Sequence, residues 1–164
     1  MIEAHELETH IDRLADQALV FEEEVDHWTA WQPALASYIL SDDFSLLTEL
    51  ERDTLLFGAT ALLSLARVRE TSEEAVSEEM IGELDEANWT AIEEAPGRKL
   101  SDKMDVWFEG YPETELLAFI EDLCMDEEEE DLTTAGSEMM VVALKTVADA
   151  LFIEKAPSKL QKSS

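Results

Sequence analysis

Glu24-Val25-Asp26-His27 is the stretch whose residue types and spacing come closest to a metal site. A Glu and a His three residues apart share a helix face. Di-iron bundles use two such pairs together with two more glutamates on facing helices. No second Glu-x-x-His occurs in the chain, and both residues flank the apolar positions Val25 and Trp28. The pair is therefore read as a solvated helix flank. His5 and His10 are five residues apart, which puts them on different helix faces and not in the i, i+4 arrangement of a zinc helix. Cys124 is the only cysteine, so an intramolecular disulfide is excluded. It follows Leu123 on an apolar face, with no histidine near in sequence and many acids that would raise its pKa, and is read as a buried thiol, not a nucleophile.

Asp126 to Asp131 is a run of six acids. A calcium loop of the EF-hand type alternates its oxygen ligands around a central glycine, and this run has neither feature. It is read as a self-repelling solvated loop. No glycine-rich phosphate loop, Gly-x-Ser-x-Gly elbow or Cys-x-x-Cys occurs. The expectation is a chain with no catalytic residues, no cofactor and no specific metal.

Binding chemistry is better represented. Residues 71–95 hold nine acids and no base. Glu78, Glu79, Glu83 and Glu86 would line the wet side of a helix there, with Trp89 as an aromatic anchor. Trp107, Phe108 and Tyr111 form an aromatic knot near the acidic run. Aromatics ringed by carboxylates suit an interface for a basic partner. The plainer reading of the knot is a satellite core cluster.

Net charge is −29, from 40 acidic and 11 basic groups. Such a surface repels nucleic acid and anionic membranes and attracts basic proteins at low salt. Acidity could also serve solubility alone or a salt-rich cytoplasm, although glutamate (27) outnumbers aspartate (13), which weighs against a halophile. The leading expectation is a non-enzymatic acidic protein that docks a basic protein, as an inhibitor, immunity-type neutraliser or chaperone does. The alternatives are a nucleic-acid mimic that occupies a DNA-binding protein, and a bundle metal protein or enzyme. The N-terminus lacks a basic segment followed by an apolar one, and the uncharged run Thr54 to Ala66 is too short to span a bilayer. A cytoplasmic location is expected.

The elements that must position these residues are helical, because Glu, Ala and Leu dominate and glycine and proline are scarce. The fold class expected is all-α: one bundle of about six helices over residues 1–156, with a disordered tail at 157–164. Leu7, Ile11, Leu14, Ala18, Phe21, Val25 and Trp28 step by four and three, predicting a continuous first helix over 2–28. Pro33 suits the first turn of a short second helix. Ser41-Asp42-Asp43 is read as the cap of a helix over 44–69, whose uncharged middle marks it as buried. Gly58, Ala59 and Ala61 would admit a neighbouring helix closely. Thr71 and Glu74 have capping-box form for a helix over 72–94 carrying Val76, Met80, Leu84, Ala87 and Ala91 inward. Ser101 is expected to cap the next helix, Pro112 to open another with Leu116, Leu117, Ile120, Leu123 and Cys124 inside, and Thr133 or Thr134 to cap the last, over 134–155. Charge is concentrated outside helices 44–69 and 134–155, so these two are expected at the centre, where a buried carboxylate would be costly.

Overall fold

A computed structural model describes residues 2–69, 74–125 and 132–153. Eight α-helices pack together among them: α1 (Ala4–Asp16), α2 (Ala18–Trp31), α3 (Pro33–Ile39), α4 (Glu49–Val68), α5 (Glu78–Glu94), α6 (Leu100–Phe108), α7 (Thr114–Cys124) and α8 (Thr134–Ala148). A 3-10 turn (Asp42–Phe44) precedes α4, and a π-helical turn (Asp149–Ile153) continues α8. No strand occurs among the described residues. The chain is all-α, as its composition requires, with more helices than the expected six.

The extra count arises partly at Gln17. Its backbone is extended (φ −128°, ψ 93°) and breaks the predicted 2–28 helix into α1 and α2. His10 and Glu24 both reach the hydroxyl of Ser64. In one straight helix they would stand about 21 Å apart along the axis. The chain therefore turns sharply at Gln17, and both arms lie on α4. Because both arms bury against the same helix, the four-and-three pattern runs through the corner, except that Ala18 at the corner is exposed.

The two helices expected at the centre are there. Every residue of α4 from Gly58 to Ala66 is buried, as is every residue from Met140 to Leu151 in α8 and its π turn. These helices share the most extensive packing in the bundle. At Gly58 an added Cβ would come within 2.8 Å of both Leu123 and Leu144. The missing side chain is what lets α7 and α8 close on α4.

Capping differs from expectation at three helices. Ser41 caps only the 3-10 turn, accepting from Asp43 N at 3.2 Å. The cap of α4 is Thr48, four residues after Phe44, in a complete capping box with Glu51. Residues 74–77 are not helical, and α5 starts at Glu78 with Ser77 as its cap. Ser101 lies inside the first turn of α6, which opens at Leu100 with no side-chain cap. Pro33 opens α3 and Thr133 caps α8, as expected. Pro112 precedes α7 by two residues. The expected cap at Thr71, the acid run Asp126–Asp131 and the tail 157–164 lie outside the described residues.

Glu51 ties two helix starts together. One carboxylate oxygen accepts from Thr48 N at 2.9 Å; the other accepts from Thr133 N at 2.7 Å and Thr133 Oγ1 at 2.9 Å. The side chain is 1% exposed. Burial alone would raise its pKa, but the donors from Thr48 and Thr133 prevail and hold it below the ordinary carboxylate value. Gly136 stands directly against this carboxylate, and a Cβ there would overlap it.

Two outcomes follow from this junction. Gly136→Ala should cost about 1–3 kcal/mol in urea unfolding, because the pinned carboxylate has nowhere to go. Folded Glu51 binds its proton less readily than unfolded Glu51, so its stabilisation is present above the ordinary value of 4.5 and is lost as pH falls through the lower folded value. Glu51→Gln should therefore be less stable than the parent at pH 7 and lose less on acidification below about pH 4.5; parallel pH–stability curves would contradict this.

Candidate functional site

α5 carries the expected acidic face. Ser77 Oγ accepts from Met80 N at 3.1 Å and starts the helix; Ala95 and Pro96 end it. At 100° per residue, Glu79, Glu83, Glu86, Glu93 and Glu94 fall within one third of the helix circumference, and all five are exposed. Glu78 is exposed as well, at one edge of this face. No cation among the described residues pairs with any of these six carboxylates. Trp89 is half-buried, packed against the core at the boundary of the acidic face. Glu86 and Glu93 are its neighbours at i−3 and i+4, and Gly82, two turns earlier on the same side, faces open space.

The opposite face of α5 differs from the expected one by one position. Ile81, Asn88 and Ile92 are buried, whereas Ala87 is exposed and Ala91 only half-buried. Asn88 is thus a polar residue at the centre of an apolar seam. Its amide nitrogen donates to Thr146 Oγ1 at 3.0 Å and Asp149 Oδ2 at 3.2 Å, and its oxygen accepts from Lys145 Nζ at 3.0 Å. Lys145 also donates to Asp149 Oδ2 at 2.9 Å. Tyr111 donates its hydroxyl proton to Asp149 Oδ1 at 2.7 Å. Asp85 accepts from Tyr38 at 2.6 Å, tying the same helix to α3. Burial and the adjacent carboxylates push both tyrosine hydroxyls to higher pKa.

Trp107 and Tyr111 sit around this cluster. Lys145 Nζ lies 5.0 Å from the Trp107 ring centre and 5.1 Å from that of Tyr111, close enough for cation–π attraction. Trp107 is 6% exposed and its indole N–H has no hydrogen-bond partner among the described residues. The aromatic knot faces a buried lysine, the geometry of a satellite core cluster; it does not form one surface with the acidic face of α5. Asp149 is the first residue of the π turn. A buried ion pair of this kind adds little net stability but fixes register. Here Asn88 bonds both members of the pair, which turns its side of α5 inward and leaves the carboxylates of the opposite side in water.

A second polar chain runs through the α1–α2 corner. Glu24 is 5% exposed, not solvated as its sequence position suggested. Both its oxygens lie within 2.6 Å of Arg67 Nη2, and one accepts from Ser64 Oγ at 3.1 Å. Burial opposes its ionisation, but Arg67 outweighs this and keeps its pKa low. His27 Nδ1 is 3.6 Å away and its ring is exposed. Because Ser64 gives its proton to the Glu24 carboxylate, His10 must donate to Ser64 across their 2.5 Å contact. Burial lowers the His10 pKa, consistent with a neutral ring donating through Nε2–H. His10 cannot then act as a base toward Ser64, so the three residues are not arranged as a nucleophilic triad. Cys124 is fully buried, and burial pushes its thiol pKa up. Among the described residues no three His, Cys, Asp or Glu side chains are grouped to hold a metal. None of the described helices is long and apolar enough to cross a membrane.

Asn88, Thr146, Lys145 and Asp149 did not emerge from the sequence as a group. The available signal was Lys145 and Asp149, four residues apart and the only charges in the apolar run from Met139 to Ile153. Neither protein-family models, curated proteins nor solved structures give a match to the chain.

Lys145→Met would strand Asp149 without its cation and should cost about 3–5 kcal/mol in urea unfolding. Adding Asp149→Leu should recover a large part of that loss. A single variant as stable as the parent would show that the pair does not hold α5 against α8.

Proposed function

We propose that this chain is a non-enzymatic acidic binding protein that docks a basic protein through the outer face of α5. The observation that carries the reading is the set of exposed, unpaired carboxylates on that face. Glu79 and Glu83, and Glu83 and Glu86, repel at i, i+4 and i, i+3 spacing, each by about 0.2–0.5 kcal/mol. Glu93 and Glu94 occupy the last turn, where no base is present. Acids at a helix C-terminus oppose the macrodipole, by about 0.3–1 kcal/mol each. Folding alone favours Lys at such positions. A basic partner relieves both repulsions, so the charges that weaken the free helix strengthen the complex. Trp89, between Glu86 and Glu93, offers a ring on which an arginine can stack while the carboxylates bind its guanidinium. The four-residue cluster Glu78, Glu79, Glu83 and Glu86 supplies long-range attraction. A single carboxylate line interrupted at Thr90 supports a protein dock more than mimicry of a duplex, which displays two phosphate strands.

The test begins with capture of the partner from native lysate at low salt, followed by kinetics against the purified partner. Reversing Glu78, Glu79, Glu83 and Glu86 to Lys should lower the association rate about tenfold or more and flatten its salt dependence. Trp89→Ala should act mainly on dissociation, as a truncated anchor does. A partner that binds both variants with unchanged kinetics would refute the placement on α5; competition by duplex DNA for the same partner site would favour mimicry.

A further inference from the structure

We propose a second docking surface, formed by two adjoining depressions beside the first half of α4, that takes an amphipathic helix with a basic polar face. One depression, about 350 Å³, is lined by Leu14, Ala18, Phe21, Leu56 and Phe57. Its floor is preformed: the Phe21 and Phe57 rings stack with centres 6.2 Å apart and planes 9° apart. The other, about 250 Å³, is lined by Leu40, Phe44, Leu55 and Leu56. Asp53 and Leu56 belong to both, so the two adjoin across α4. Single exposed apolar side chains are ordinary on a protein surface. Here Leu40 (60% exposed) lines the second depression, and the half-buried Phe21, Leu56 and Phe57 line the first. Apolar surface collected around two depressions is the pattern of an interaction site.

The charges at the rim select the occupant. Glu22, Asp42 and Asp53 line the depressions against the single base Arg52. Asp16, Glu23, Asp43 and Glu49, close by in the chain, are also exposed, against one further exposed base, Arg13. A second copy of this chain, with net charge −29, would bring like charge to like. An anionic lipid surface is disfavoured for the same reason. A helix presenting two apolar side chains, one or two turns apart, fills both depressions, and lysines or arginines along its flanks meet the acidic rim. This surface is separate from the outer face of α5 and does not depend on that reading.

The probes are two labelled peptides of about 14 residues, roughly four helical turns. Both have the same leucine and lysine content; one is patterned as an amphipathic helix and the other scrambled. Fluorescence anisotropy at about 0.15 M salt, where the Debye length is ~8 Å, reads affinity with general attraction damped. The patterned peptide should bind at least about tenfold more tightly than the scrambled one. Ala18→Trp, which fills the first depression from an exposed position, and Leu40→Asp should each remove that preference. Reversing Glu79, Glu83 and Glu86 to Lys should weaken both peptides alike and leave the preference intact. Independently of any variant, methyl resonances of Leu14, Leu40 and Leu56 should shift on adding the patterned peptide, and those of Leu144 and Leu151 should not. Equal affinity for the two peptides, or an undiminished preference in both groove variants, would overturn the proposal. So would a wild-type dimer in sedimentation that Ala18→Trp or Leu40→Asp converts to monomer, since the surface would then serve self-association.

Discussion

Burial of α8 is the constraint on which the rest depends. From Met140 to Leu151 no residue of that segment retains appreciable contact with water, yet it includes Lys145, Thr146 and Asp149. Each must find its partners inside the protein, since an unpaired buried charge costs several kcal/mol, a large share of a small domain's net stability. The partners come from elsewhere in the bundle: Asn88 from α5, and Tyr111 and Trp107 from α6 and the turn that follows it. Satisfying α8 thus fixes how α5 and α6 are laid against it. Asn88 can serve this role only if Ile81 and Ile92 also face inward, and that rotation sends Glu79, Glu83 and Glu86 outward.

Charge follows the same logic across the chain. The carboxylates taken inside are each compensated: Glu24 by Arg67 and Ser64, Glu51 by the starts of two helices, Asp149 by Lys145. The remaining acidity is left on surfaces with few bases to offset it. On α5 two glutamates, Glu93 and Glu94, sit at the helix end, where they oppose the macrodipole. That asymmetry is the physical ground on which we propose α5 as a recognition surface.

Much of the fold was legible in residue patterns. An uncharged stretch around Gly58 marked the central helix, and Thr133 and Pro33 marked helix starts by chemistry that is local in sequence. The bend at Gln17 was not legible, since Gln17 breaks no helix by itself and both arms keep the same periodicity against α4. Thr48 and Glu51 satisfy the capping-box spacing, but Ser41-Asp42-Asp43 offered a competing start, which the chain uses for a 3-10 turn. On α5, Ala87 and Ala91 fit the helical period as well as Asn88 and Ile92 do; only contacts from α8, far along the chain, decide between them. The acidic face could be read directly, since exposure of carboxylates needs no partner. The cluster around Lys145 could not, since Asn88 lies 57 to 61 positions and Tyr111 38 positions from the residues they bond, with no shared motif.

Amide hydrogen exchange of the full chain, free and bound to a basic protein recovered with it from native lysate, tests the proposed dock most directly. If the outer face of α5 is the dock, exchange across residues 78–94 slows on binding, while α8, already buried, is unchanged. Unaltered exchange in 78–94 with a saturating basic partner bound would contradict the account.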